Sequence, residues 1–504
     1  MDNLAEIIQT LSTENHKEFR IFINRNKSKK KRKDFELYQI LKANTILKPQ
    51  EIIQTLYPDS KNTVAYHALR KRLLTHLTDF LVFKRLEEDT TAASVIMGLH
   101  SLASYLFDHQ NSRLAWKHLK RAEELAIANE QFELLNSLYN LMIEKANTDF
   151  AEELHSILEK RKINKTKVEE EERVNIAYSL IRKKLNEHKA GKKNLNFDTI
   201  IREILQSFSL ETIINQRPKI LYKIMTITRS AIIATKDFYS FEPYIIAQFK
   251  QVEKLQGFSK SNHYYKVNLL YMIAHVLYRN RKFEASLQYL ELLLSDLMKY
   301  DALYFKGLFH KYTLLNASCL AFLGKNKVAI EITEDFIENH SNDIPEEARL
   351  NALINLMIYN FQVEDYKKSI KWVLQIQHTD QWCEKKMGKE WVLKKNLMEM
   401  ILQYEMGNID IVLNRIRSFE RSNERILKRP LYHSVNNFLQ LIKEIVNNPL
   451  IADSPEFQER VRSTLVVKPH EQEDLQGMGF YAWLKSKIVK QPYYEVLVEL
   501  VNRR

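Results

Sequence analysis

Residues Leu269 to Leu294 read LLYMIAHVLYRNRKFEASLQYLELLL, and Tyr312 to Ile337 read YTLLNASCLAFLGKNKVAIEITEDFI. Each stretch is an apolar run at helical spacing, a polar turn, and a second apolar face. The pattern predicts a helical hairpin. A hairpin cannot bury its apolar face alone, so a chain that repeats the pattern has to stack its copies. In the second stretch Ala317, Leu320, Gly324, Ala329 and Ile330 fall where paired helices need small or packing residues. Small side chains let the two backbones approach, and Gly324 suits a helix end that requires positive φ.

Further copies fit the same frame. LNALINLMIYNFQVEDYKKSIKWVLQI carries Tyr366, Ser369 and Ile370, and NLMEMILQYEMGNIDIVLNRIRSF carries Gly407, Ile409, Val412 and Leu413. Upstream, SLASYLFDHQNSRLAWKHLKRAEELA carries Ala103, Leu106, Ala115, Leu119 and Ala122. Second helices are expected to open at Ser112, Phe150, Phe197, Phe238, Phe283, Asn326, Tyr366 and Ile409. Seven steps separate the first of these from the last, about 42 residues each. Composition agrees: the 504-residue chain has 9 Gly and 10 Pro, where average usage gives roughly 35 and 25. Strand-rich and α/β folds need more turn residues than that, so the fold class expected is all-α.

This resembles the tetratricopeptide repeat over residues 95 to 440, with longer units. The resemblance implies a right-handed helical-repeat solenoid with a concave groove that takes a peptide or a helix of a partner protein. The domains expected are a basic helical N-terminal domain (1–90), a hairpin array (91–445) and a C-terminal capping region (446–504). In that region Phe480, Trp483, Leu484 and Ile488 fall on one face of a capping helix. The run KVEEEER, from Lys167 to Arg173, reads as the exposed first turns of a helix.

The formal charge is +13. Residues 1–90 hold 17 basic and 12 acidic groups, so positive charge is densest there. The stretch NKSKKKRKD supplies Lys27, Lys29, Lys30, Lys31, Arg32 and Lys33. Four helices are expected in this region, the first capped by Thr13, and the basic stretch reads as a solvated loop between two of them. EIIQTLYPDSKNTVAYHALRKRLLTHL resembles the core of a helix-turn-helix or winged-helix module. That likeness implies a recognition helix offering Asn62, Tyr66, Arg70, Lys71 and Arg72 to a duplex, with the lysine cluster on phosphates. A winged helix needs two strands next, and HLTDFLVFKRLEED continues at helical spacing instead. An amphipathic helix with a solvated back is the competing reading. The order of segments over the whole chain also resembles a group of helical proteins of this length from Bacteroidetes-type bacteria, which implies architecture and no chemistry.

Motifs for catalysis are missing. GKKN at Gly191 and GKNK at Gly324 lack the rest of a phosphate loop, and GMG at Gly477 stands in a polar loop without a dinucleotide-site context. HEQED at His470 has no second His at metal spacing, and His100, His109 and His118 fall on diverging faces. Cys319 and Cys383 are far apart and read as buried free thiols, as in a reducing compartment. Tyr264, Tyr265, Tyr271 and Tyr278 alternate with Lys266, Arg279 and Arg281, either a stacking platform for single-stranded RNA or groove packing. No run approaches a membrane span and no secretory signal is present, so a cytoplasmic protein is expected. The sequence points to a non-catalytic scaffold with a protein partner, no cofactor and no small-molecule substrate. A nucleic-acid-binding regulator or a ribosome-associated factor stands as the alternative.

Overall fold

A chain with nine glycines reverses direction many times, and its turns show how. The computed structural model describes residues 3–25, 32–43, 49–58, 63–88, 91–189, 197–214, 217–235, 238–255, 257–340, 344–429, 432–464 and 475–502. Among them every regular element is helical, and no strand occurs. At most hairpin turns one residue adopts the left-handed conformation. Gly324 and Gly407 do so at φ 82° and 76°, but Gln110, Glu130, Arg281, Glu364 and Lys490 hold φ between 51° and 61° without being glycine. The next N–H then reaches a carbonyl five residues back: Lys282 to Leu277 at 2.9 Å, Lys325 to Leu320 at 2.9 Å, Asp365 to Asn360 at 2.9 Å, Asn408 to Gln403 at 3.0 Å. This closure satisfies helix-end carbonyls. Each non-glycine case costs about 1–2 kcal/mol, which tertiary packing must offset.

Helices begin at Ser112, Phe197, Phe238, Phe283, Asn326, Tyr366 and Ile409, as the repeat frame requires. Phe150 is the exception. It is 67% exposed with φ 70°, and the helix after it starts at Leu154. Within the hairpins, buried positions recur twelve residues apart: Ala103 and Ala115, Ala274 and Ser286, Ala317 and Ala329, Met357 and Ser369, Met400 and Val412. Ser286 and Ser369 also donate from their hydroxyls across the hairpin, to the carbonyls of Ala274 (2.8 Å) and Met357 (2.6 Å).

The chain divides into two compact units, residues 1–167 and 168–504. In the first, the helices Asn3–Gln9, Thr13–Asn24, Lys33–Lys42, Pro49–Leu56 and Thr63–Glu88 share a core of Phe19, Leu37, Tyr38, Leu73, Leu77 and Phe80. Phe19 stands edge-on to Tyr38 and Phe80, with centroids 4.9 and 5.3 Å away. The Asn3–Gln9 helix adds one to the four expected. The cap expected at Thr13 is Ser12, whose hydroxyl accepts the N–H of Asn15 at 3.1 Å. Thr63–Glu88 is one unbroken 26-residue helix. A second core in this unit gathers Trp116, Leu119, Leu138, Met142 and Ile157.

In the second unit the first helices of successive hairpins pack on one another. The row runs Pro218–Thr235, His263–Arg279, Phe305–Phe322, Glu346–Gln362, Lys389–Glu405 and His433–Asn447. KVEEEER does not open a helix: it lies inside Leu154–Lys189, a 36-residue helix. There Glu170 and Glu171 pair with the buried Arg217 at 3.3 and 2.8 Å, and Glu171 also with Lys219 at 2.9 Å. The acidic run therefore has counter-ions more than forty residues downstream.

The expected single capping helix is two helices, Leu475–Val489 and Tyr493–Asn502, because Lys490 turns left-handed and Pro492 cannot continue a helix. Gly477 lies inside the first of them, not in a loop. This terminal pair packs against the ends of several first helices. The Trp483 indole donates to Glu405 at 2.6 Å, Tyr493 meets Phe361 with centroids 5.3 Å apart, and the Tyr494 hydroxyl donates to the carbonyl of Ala321. Leu475, Met478 and Ala482 belong to the core built on residues 174–319, while Trp483 and Leu484 belong to the one built on 357–461. Both cysteines are free and buried; Cys319 sits 3.4 Å from the Ser286 hydroxyl, and burial pushes its thiol up to about 12.

Candidate functional site

Two groups of basic side chains compete for attention, one evident in the sequence and one not. Of the first, Lys27, Lys29, Lys30, Lys31 and Asn62 lie outside the described residues. Arg32 donates from Nε and Nη2 to the two oxygens of Asp34, at 3.1 and 2.7 Å, and from Nη1 to the carbonyl of Ile23. His76 stands 3.0 Å from the same guanidinium. Asp34 is 2% exposed. Burial pushes its carboxyl up, but the Arg32 hydrogen bonds and charge, with the N–H of Phe35, outweigh that and hold it below the usual range. Lys33 donates to the carbonyl of Leu56 at 2.9 Å and lies 3.8 Å from the centre of the Tyr57 ring. Both residues thus have intramolecular work: Arg32 neutralises a buried carboxylate, and Lys33 closes the C-terminus of Pro49–Leu56.

Tyr66 is buried at 3% exposure, and its hydroxyl accepts from Arg70 at 3.2 Å. A buried tyrosine presents no edge to a duplex. Lys71 and Arg72 are exposed on the solvent side of Thr63–Glu88. The structure brings Tyr66 and Arg70 together, and it separates Arg32 and Lys33 into different contacts.

The second group lies on the row of first helices. Tyr222, Tyr264 and Tyr304 stand near the starts of three neighbours in that row. Tyr264 is edge-on to Tyr222 at 5.7 Å and to Tyr304 at 5.6 Å. Burial pushes the Tyr222 hydroxyl up to about 12. Seven residues, or two turns, beyond each tyrosine come Arg229, Tyr271 and Lys311. The guanidinium of Arg229 lies 5.9 Å from the centre of the Tyr271 ring, and the ammonium of Lys311 lies 5.8 Å from it. One turn further on, His275 is 6.2 Å from Tyr271, centroid to centroid. His275 is half-buried. Lys311 is exposed.

The neighbouring charges acting on this group are positive. Burial, then Arg229 and Arg279, hold His275 well below the ordinary imidazole range. Burial, then Arg229, lower the Lys311 ammonium. Burial, then Lys311, lower His310. Among the described residues no carboxylate lies within ion-pair distance of Arg229 or Lys311, and Arg229 Nε, His275 Nδ1 and His310 Nδ1 are buried without a hydrogen-bond partner. The sequence reading singled out Tyr264 and Tyr271 but missed Arg229, His275 and Lys311. The seven-residue offset from a tyrosine, repeated on three first helices, was the signal that could have joined them.

No three His, Cys, Asp or Glu side chains come together as a metal-holding group among the described residues, and none of their helices is long and apolar enough to cross a membrane. No family model, curated protein or solved structure matches this chain.

Proposed function

We propose that this chain is a non-catalytic interaction scaffold. In this reading its hairpins form a tetratricopeptide-like right-handed solenoid, and the first helices line a groove that holds a peptide or helix of a partner protein. One observation carries it. On three adjacent first helices the same face presents half-buried to exposed tyrosines and cations, where a structural row would present only apolar packing. Tyrosine and arginine are the side chains that dominate binding surfaces, because each offers a large, stiff contact with a polar tip.

The test is a photo-crosslinking amino acid placed at Asn268, between Tyr264 and Tyr271, and separately at Leu292, 52% exposed on the second helix of that hairpin. In the cell of origin, a protein adduct that survives nuclease should form from position 268 and not from 292. Equal adducts from both positions, or none from 268, sink the proposal.

Exposed Lys71 and Arg72 favour a second reading, a nucleic-acid-binding regulator that uses the Thr63–Glu88 helix. Duplex binding that is unchanged in the Lys71→Gln/Arg72→Gln variant, in both affinity and salt dependence, removes it.

A further inference from the structure

We infer that Arg229, His275 and Lys311 form a binding site for a phosphomonoester, a doubly charged tetrahedral oxyanion, on the face where Pro218–Thr235, His263–Arg279 and Phe305–Phe322 meet. The site stands whether or not a peptide occupies the groove.

The argument is one of unbalanced charge. Elsewhere in the same unit cations are matched, whether buried or exposed: the buried Arg217 has Glu170 and Glu171, the buried Lys395 has Glu399 and Asp380, and the exposed Lys282 has Glu242. Arg229 and Lys311 share one tyrosine ring and repel each other, with no carboxylate of the described residues at either. A half-buried guanidinium that lacks a counter-ion carries a desolvation cost that nothing in the fold returns. Buried donors without partners mark where the missing acceptor belongs.

The charges also select the ligand. Arg229 and Lys311 supply two positive charges, and a single carboxylate would leave one uncompensated. A phosphomonoester is close to a dianion at neutral pH and has three strong acceptor oxygens. The guanidinium fork suits two of those oxygens, and the ammonium suits a third as a point charge. His275 is neutral, so one ring nitrogen can donate to the anion without adding charge. Tyr222, Tyr264 and Tyr304 stand two turns away on the same three helices, which suits a ligand with an aromatic or apolar body. Lys311 is exposed, which makes it the weaker contact.

The experiment is a calorimetric titration of the full chain with phenyl phosphate at low salt. We expect saturable binding with one site per chain. Arg229→Gln should lower the affinity at least about tenfold, and Lys311→Gln about threefold, because its charge is screened by solvent. The Arg229→Lys variant keeps the charge without the fork and should fall between wild type and Arg229→Gln. Its circular dichroism and melting guard against mistaking misfolding for lost contact. Lys71→Gln/Arg72→Gln, on another basic surface, should bind as wild type does. No binding by the wild-type chain overturns the proposal; so does binding that Arg229→Gln leaves intact or that Lys71→Gln/Arg72→Gln abolishes. A phosphoserine peptide that binds at least about tenfold more tightly than phenyl phosphate would assign the anion to a partner's modified side chain. Equal or weaker peptide binding would assign it to a free small molecule. Either result supports the site.

Discussion

The basic stretch at residues 26–34 and the cations around Tyr271 make opposite use of positive charge. The first is dense in sequence, yet its described members, Arg32 and Lys33, are held by Asp34, Ile23, Leu56 and the Tyr57 ring. The second is thin in sequence, with Arg229 and Lys311 more than eighty residues apart, yet the fold converges them on one ring and gives them no counter-ion among the described residues. Charge that is plentiful along the chain can be spent on the fold. Charge that is unmatched in space is what remains available to a ligand.

The comparison breaks most readily at Asp34. If Arg32 is a structural cation, Asp34→Ala leaves it beside an empty partner position and should destabilise the N-terminal helices by about 3 kcal/mol. Amides of Lys33–Lys42 should then exchange about a hundredfold faster. The same pair sets an acid limit. The Asp34 pKa is depressed in the fold, so its contribution is fully present above the ordinary carboxylate range and is lost as pH falls through the depressed value. Asp34→Ala should remove that acid limb from the exchange profile.

Arg229 should behave in the opposite sense. Arg229→Met deletes a half-buried charge with no partner, so the second unit should gain about 1 kcal/mol in urea unfolding. A loss of similar size would mean that Arg229 is structural after all and the contrast is false. Next comes His275, which the fold keeps neutral. The unfolded chain takes up a proton near pH 6.5, so stability should fall by about 0.8 kcal/mol between pH 8 and pH 6. His275→Gln should flatten that slope. The smallest effect belongs to Lys71→Gln/Arg72→Gln, which should change melting by less than about 0.5 kcal/mol, since both side chains are exposed.

The hairpins were legible in the sequence because their signal is local. A bulky or polar residue opens each second helix, and small residues sit where the helices touch. The places where the reading failed involve distant partners. Phe150 looked like a helix opener, but the chain is left-handed there and the ring points to solvent. Glu170 and Glu171 looked solvated because Arg217 and Lys219 lie far downstream. Turns without glycine were hard to foresee, since nothing at Arg281 or Glu364 signals positive φ; the surrounding packing imposes it. The cation site was harder still. Arg229, His275 and Lys311 each look like an ordinary polar position on an amphipathic helix, and only the stacking of three helices gives them a common face. Tyr66 shows the converse, a residue picked for its neighbours' charge that the core has taken.

The terminal pair of helices has a consequence for synthesis. Residues 475–501 complete cores begun near residue 174 and near residue 357, and Tyr494 reaches back 173 positions to Ala321. The hairpins between can form their local turns as they leave the ribosome, but their joint apolar surface stays open until these later-made residues arrive. Contacts of such sequence separation are slow to form, because loop closure is unfavourable before the contact compensates it. The nascent hairpins therefore keep apolar surface open to aggregation while they wait for a segment made later.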